Sequence, residues 1–297
     1  MKYHYINISP PYTLNKDWDA SEPQLPSGFF QELKNYRPEK ESLETRKGIT
    51  EFVFTGSVTA APTGNDFSGD PNCVAVWRFE NNANDTIGGN DLTSSGTVIY
   101  TTADVSEGEY AVDLERNDSA YLTITDSNLD AGFPGKKGEA ETDFSLFGFF
   151  KIESYGVGGG AGLCCKHRGT TADRTFSTVV MSAGTCQLKI GYNGGCAAST
   201  LALTAELSLA TWYWVCATYQ ASNNRMSMYI WNVATSALVD QGMDTAAGDM
   251  SPSSADFTIG KFGGSSYFDG LMDEWGVMKD MLTTAEMSEI RKGEYRP

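Results

Sequence analysis

The sequence predicts an all-β protein: a sandwich of two antiparallel sheets, with a short C-terminal helix and an extended N-terminal arm. Three observations carry this. Many short runs alternate polar and apolar residues, are rich in Val, Ile, Phe, Tyr and Trp, and are separated by turn signals at short intervals. Near the end, one such run is followed by a capped amphipathic turn. Residues 1–70 differ in kind, being broken by proline and dense in mixed charge.

The elements follow in order. Pro10-Pro11, Pro23, Pro26 and Pro38 interrupt the arm; residues 29–33 suggest a helical turn capped by Ser27, and residues 51–55 a single strand. Such a segment cannot bury enough apolar surface to offset the entropy of ordering it, so its order requires docking, on a partner or on its own domain. The Pro/Gly-rich stretch 59–71 is a linker, which makes residues 1–70 the docking arm and 71–297 the folded domain. In the opening strand Ala75, Trp77 and Phe79 share one face and Arg78 the other. Residues 81–92 form an Asn/Asp/Gly loop, where short polar side chains make turns and Gly88-Gly89 permits a reversal. Residues 108–114 and 121–124 read as a hairpin, and 144–152 and 211–219 as strands. Asn223-Asn224 turns the chain into 225–231, and 257–263 leads to the closing run. There Leu271, Asp273, Trp275 and Val277 alternate with Met272, Glu274, Gly276 and Met278 after the turn Asp269-Gly270. Thr283 and Glu286 are spaced for a capping box, Met287 and Ile290 share a helical face, and Gly293 ends the helix.

The order and spacing of these segments, over roughly residues 73–293, resemble a laminin-G-like domain of the concanavalin A-like lectin and glucanase superfamily. The resemblance implies a jelly-roll sandwich. It also obliges a test for catalysis, because hydrolases of this superfamily carry their carboxylates on one strand as Glu-x-Asp-x-x-Glu or a near variant. The nearest match, Asp273-Glu274, is adjacent, so its side chains are expected on opposite faces. Glu139, Glu141 and Asp143 sit in a Gly/Lys loop at the wrong spacing for a pair about 5–5.5 Å apart. A non-enzymatic protein is therefore expected. Many laminin-G-like domains bind calcium, which makes Asp85, Asp91, Asp269 and Asp273 the oxygen-rich options; the plain reading of them is as turn residues, so no cofactor is expected, with structural calcium left open.

Composition narrows the partners. The chain has 297 residues, 22 basic and 38 acidic, for a net charge of −16. That surface repels phosphate and argues against nucleic acid. No apolar run approaches the roughly 20 residues of a membrane span, so no membrane insertion is expected. The N-terminus has no apolar signal core, and the three Asn-x-Ser/Thr matches are read as chance. Cys73 and Cys216 read as small buried apolar residues and Cys164-Cys165 as half-buried; Cys186 and Cys196 flank a Gly-Tyr-Asn-Gly-Gly turn, and whether they are bridged is open. With His4 in the arm and His167 beside Cys164-Cys165, the spacings of a metal cluster are missing. The Gly-rich run 156–161 is not followed by a helix start, which excludes a phosphate loop.

Sugar sites pair an aromatic platform with hydrogen-bonding groups. The loop residues with that content are Tyr155, His167, Arg168, Tyr192, Asn193 and Tyr267, and these are the expected ligand-binding set. The function expected is a structural or adhesion component of a large assembly, a virion surface protein of a phage capsid or tail. In it residues 1–70 attach to other protein subunits and the jelly roll touches surface glycans. A free carbohydrate-binding protein at a bacterial surface is the first alternative, and a glycan-cleaving enzyme the second.

Overall fold

The computed structural model describes residues 64–156, 160–168 and 173–297, together with the backbone of two short strands nearer the N-terminus. The chain divides into two compact units, Met1–Pro62 and Thr63–Pro297. In the first, β1 (Tyr36–Glu39) and β2 (Ser42–Thr45) form an antiparallel hairpin with Tyr36 opposite Thr45. The expected helical turn at 29–33 and strand at 51–55 lie outside the described residues.

In the second unit the chain runs through β3 (Cys73–Trp77), β4 (Thr93–Ser95), β5 (Val98–Thr101), β6 (Ala111–Leu114) and β7 (Tyr121–Ile124). It continues through β8 (Phe144–Ile152), β9 (Ala161–His167), β10 (Arg174–Val180), β11 (Cys186–Tyr192) and β12 (Ala197–Ala202). Next come β13 (Trp212–Gln220), β14 (Arg225–Asn232), β15 (Leu238–Thr245) and β16 (Phe257–Ile259). Last are β17 (Lys261–Phe262), β18 (Ser266–Tyr267), β19 (Gly270–Met278) and the helix α1 (Thr284–Ile290).

Two sheets result. One has the order β12-β11-β10-β9-β16-β7-β4, the other β15-β14-β13-β8-β19-β6-β5 with β3 also paired to β19. The inward side chains of both meet in one core: Val112, Phe150, Val215 and Trp275 from the second sheet, Leu122, Leu163, Leu188 and Phe257 from the first. Burying each such side chain is worth about 1.5–3 kcal/mol, which makes this layer the main source of stability. Trp77 stacks on Phe257 across the layer at 5.1 Å, and its indole N–H donates to the Asn90 carbonyl at 2.8 Å.

A smaller apolar layer covers the outer face of the β8–β19 sheet. Phe67, Val76, Phe147, Trp214 and Met278 are sealed there by Met287 and Ile290 of α1 and by Tyr295. The helix is held where the sequence places it: Thr283 and Glu286 form a reciprocal capping box, and Gly293 adopts φ +72° beyond its end. Asn65 and Phe67, in the expected linker, are buried in this unit. The Asp66 N–H donates to the Tyr295 carbonyl at 2.9 Å, and the Tyr295 N–H to Asn65 Oδ1 at 3.0 Å.

Three expectations are corrected. First, β6 and β7 are not a hairpin: β6 pairs with β5 and β19, β7 with β4 and β16, so the 3-10 turn Arg116–Asp118 carries the chain from one sheet to the other. Second, strict alternation fails in β19. A bulge between Asp273 and Gly276 inserts one residue, with Glu274 at φ +36°, so Met272 and Trp275 both face the core. Third, Cys164 and Cys165 are wholly buried rather than half-buried; on the question left open, all six cysteines are free. Cys186 and Cys196 do not face one another, because Tyr192 pairs with Ala197; Cys196 thus sits at the exposed turn while Cys186 is buried at the far end of β11.

Candidate functional site

The first sheet has a polar outer face, largely covered. Register places Thr258, Cys165, Ser177, Lys189 and Thr200 in one row across β16, β9, β10, β11 and β12. The row one residue over, with Cys164, Thr178, Leu188 and Leu201, turns inward, which is the period-two rule of a half-buried sheet. Over the polar face folds the short hairpin of β17 and β18, joined by Gly263-Gly264-Ser265. Its approach depends on Gly162 of β9, where a Cβ would stand 2.2 Å from the Lys261 carbonyl carbon.

Between hairpin and sheet lies a cavity of about 450 Å³, lined by His167, Arg174, Ser177, Lys189, Thr200 and Phe262 with the hairpin's small residues. Phe262 is its platform. The His167 ring stacks on it at 4.7 Å between centroids, and Lys189 Nζ sits 4.8 Å from its centroid. Ser177 is only 1% exposed, and its hydroxyl has no hydrogen-bond partner in the protein. Arg174 Nε is likewise buried without one. Burial, reinforced by the charges of Arg174 and Lys189, pushes the His167 imidazole down to about 4, so it is neutral at pH 7. Burial also lowers the Lys189 ammonium, with Arg174 adding repulsion. The arrangement offers a ring face, hydroxyls and fixed cations to a small polar ligand.

The six residues expected to bind ligand are scattered. His167 of β9 lines the cavity, and Tyr267 is on β18 of the hairpin that covers it, its ring 5.9 Å from that of Tyr121 and Lys261 Nζ 4.1 Å from the Tyr121 centroid and 5.6 Å from its own. Tyr155 is structural, its hydroxyl donating to the Leu207 carbonyl at 2.6 Å. Arg168 pairs with Asp173 at 3.4 Å and donates to the Ser254 carbonyl at 2.7 Å. Tyr192 lies against Gly248, and Asn193 holds φ +55° in an exposed turn. Phe262, Lys189, Arg174 and Ser177 were missed. The one signal available was an aromatic immediately before Gly-Gly, a ring set on a tight reversal.

The carboxylates are placed differently from expectation. The bulge sends Asp273 and Glu274 to the same, outer side of β19 rather than to opposite faces. Both are sealed from solvent, at 0% and 2% exposure. Asp273 Oδ2 accepts from the Ser106 and Glu107 N–H groups at 2.9 and 2.8 Å; Glu274 is held by Asn65 and by Arg78 at 2.8 Å. Oxygens so covered fasten a loop and cannot flank a sugar bond. The suggested calcium oxygens are spent singly: Asp85 on the Val76 and Ile87 N–H groups, Asp91 on the Asp85 N–H, and Asp269 on Arg116 at 3.0 Å. Among the described residues, the acidic groups that do gather, with oxygens within 4.8 Å, are Asp113, Glu115 and Glu153. No described helix is long and apolar enough to cross a membrane.

Residues 116–288 match the family model of laminin-G type described as the concanavalin A-like lectin/glucanases superfamily. None of the curated proteins matches. Among solved structures, domain 4 of the extracellular GH43 arabinanase AbnA from Geobacillus stearothermophilus, in complex with arabinotriose, aligns with a TM-score of 0.52 at 15% identity, covering 77% of this chain and 100% of that one. The receptor-binding domain of botulinum neurotoxin D aligns with a TM-score of 0.51 at 9% identity, covering 75% and 53%. A full-length tailspike protein from the Escherichia coli O157:H7 bacteriophage CAB120 aligns with a TM-score of 0.47 at 12% identity, covering 68% and 27%. At these identities the likeness is one of fold. With more than half of its length matched by the family and two antiparallel sheets closed by a C-terminal helix, the chain belongs to the concanavalin A-like lectin/glucanases superfamily.

Proposed function

We propose that this protein is a non-catalytic carbohydrate-binding module whose site is the cavity under the β17–β18 hairpin. The observation that carries the reading is the half-buried Phe262 ring, with the His167 ring stacked on it and Lys189 Nζ 4.8 Å from its centroid, in a cavity shared with the unpartnered hydroxyl of Ser177. A sugar presents C–H groups to an aromatic face and hydroxyls to such partners, and about 450 Å³ accommodates one or two residues of it. The arabinanase domain, which carries arabinotriose on the same fold, supports a glycan as ligand and an extracellular or surface setting. A glycan array tests this. Phe262→Ala is expected to weaken every bound glycan about tenfold or more, the equivalent of ~1.4 kcal/mol. Because the ring is only half-buried, melting should change little. Absence of any bound glycan, or binding indifferent to Phe262→Ala, would defeat the proposal.

The finer reading is a display role: a surface component of a virion, with the N-terminal residues as the attachment to neighbouring subunits. Its support is the sequence of residues 1–62, polar, dense in mixed charge and interrupted by proline, ahead of the separate compact unit Thr63–Pro297. Residues 63–297 alone should fold, bind the same glycans and fail to join particles. Normal incorporation of that truncated chain would remove the reading.

A further inference from the structure

The cavity carries a charge that the rest of the chain does not. In a protein of net charge −16, its lining holds Arg174, Lys189 and His167, and no carboxylate among the described residues. The fold shows elsewhere how it treats a buried cation. Lys166, the residue before His167 on β9, meets Asp126 Oδ1 at 2.6 Å and the carbonyls of Ser253 and Ala255 at 2.9 and 2.5 Å. Lys189 has no hydrogen bond or ion pair among the described residues; its one partner is the Phe262 ring. The carboxylate next in sequence to Arg174, Asp173, is engaged by Arg168. Lys189 and Arg174 therefore repel each other in a half-buried site, an arrangement that costs stability unless an anion joins it.

We infer that the pocket selects acidic saccharides: sugars whose carboxylate or sulfate lies between Lys189 and Arg174 while the ring rests on Phe262. This rests on the reading of the cavity as a glycan site and sharpens it. The guanidinium fork suits a planar or tetrahedral oxyanion, the ammonium supplies a point charge, and the Ser177 hydroxyl is free to donate. Neutral glycans would leave both cations desolvated and unmatched, so discrimination comes from the penalty as much as from the new contacts.

The test uses the full chain on an array carrying neutral, uronate-containing, sialylated and sulfated glycans, followed by calorimetric titration of the strongest hit. The expected result is that acidic glycans bind at least tenfold more tightly than their neutral counterparts. That binding should weaken markedly between 50 and 500 mM NaCl, as the Debye length shortens from roughly 14 to about 4 Å. Lys189→Gln and Arg174→Gln should each lower acidic-glycan affinity about tenfold, and Lys189→Arg should retain most of it. The uronate and sialyl arms against the sulfate arm tell which oxyanion the site takes. Hits confined to neutral glycans, or acidic-glycan binding that the two Gln variants leave within twofold, overturn the inference while leaving the glycan site standing. No glycan bound at all overturns both.

Discussion

Trp275→Ala is expected to lower the unfolding free energy by about 3–5 kcal/mol, among the largest effects a single substitution in this domain can have. The indole is 0% exposed at the centre of β19, where the main core is deepest. Its N–H donates to the Phe149 carbonyl at 3.1 Å, on the neighbouring strand β8. The packing around it is tight: Gly148 of β8 lacks the Cβ that would stand 2.3 Å from the ring. Removing the indole leaves a cavity that flanking sheet backbone cannot collapse into, and it strips the bulge of the residue that fixes its inward phase. Trp275→Phe separates the terms, since it keeps most of the ring and loses the donor, at an expected cost of about 1–2 kcal/mol. Denaturant unfolding followed by circular dichroism measures both. An alanine variant within 1 kcal/mol of the parent would show that the core is not organised around this residue.

The domain is expected to lose about 2 kcal/mol of stability between pH 6.5 and 8.5, and Asp273→Asn is expected to remove most of that dependence. Burial pushes the Asp273 carboxyl up to about 8; the Glu107 and Ser106 N–H groups oppose the rise and Glu274 adds to it. Glu107 rises to about 7, through burial and then Glu274. Unfolded, these groups release their protons near 3.8 and 4.5. The native state thus binds more protons than the unfolded chain from there up to pH 8, and stability falls as pH rises through that interval. His167 acts in the opposite sense, its folded value about 4 against 6.5, so its cost grows as pH falls toward and below 6.5 and fades above that value. The loss attributable to the carboxyl is therefore read as the difference in slope between the parent and the Asn variant. Asparagine still accepts the two N–H bonds, and its amide takes the place of Asp273 Oδ1, which has no partner. Urea unfolding at three pH values reads the slope. Equal stability of the parent at 6.5 and 8.5, or an undiminished slope in the Asn variant, would show that Asp273 is ionised in the fold.

Much of the fold is legible because each strand announces its inward face by period. Ala75, Trp77 and Phe79 are core and Arg78 points outward, as alternation requires. The capping box of Thr283 and Glu286 is equally local, written within four residues. Alternation does not say which sheet a strand joins, however. β6 and β7 are both amphipathic in the same way, and only the crossing turn at Arg116–Asp118 separates them. Nor does it register an inserted residue: period two alone sets Met272 and Trp275 on opposite faces, yet the bulge at Glu274 shifts the phase and turns both to the core. The candidate site was the least legible part. Ser177, Lys189 and Thr200 are ordinary in their own strands and become a row only through pairing. Phe262 becomes a platform only when its hairpin folds back across Gly162.

The hydrogen bonds that tie Asp66 and Asn65 to Tyr295 have a consequence for how the sandwich comes apart. The second unit closes on itself there almost like a clasped ring, and neither of these two segments frays alone. Loosening residues 64–67 strips Tyr295 of its partners and bares the underside of α1, so both tips of the sandwich yield as one patch.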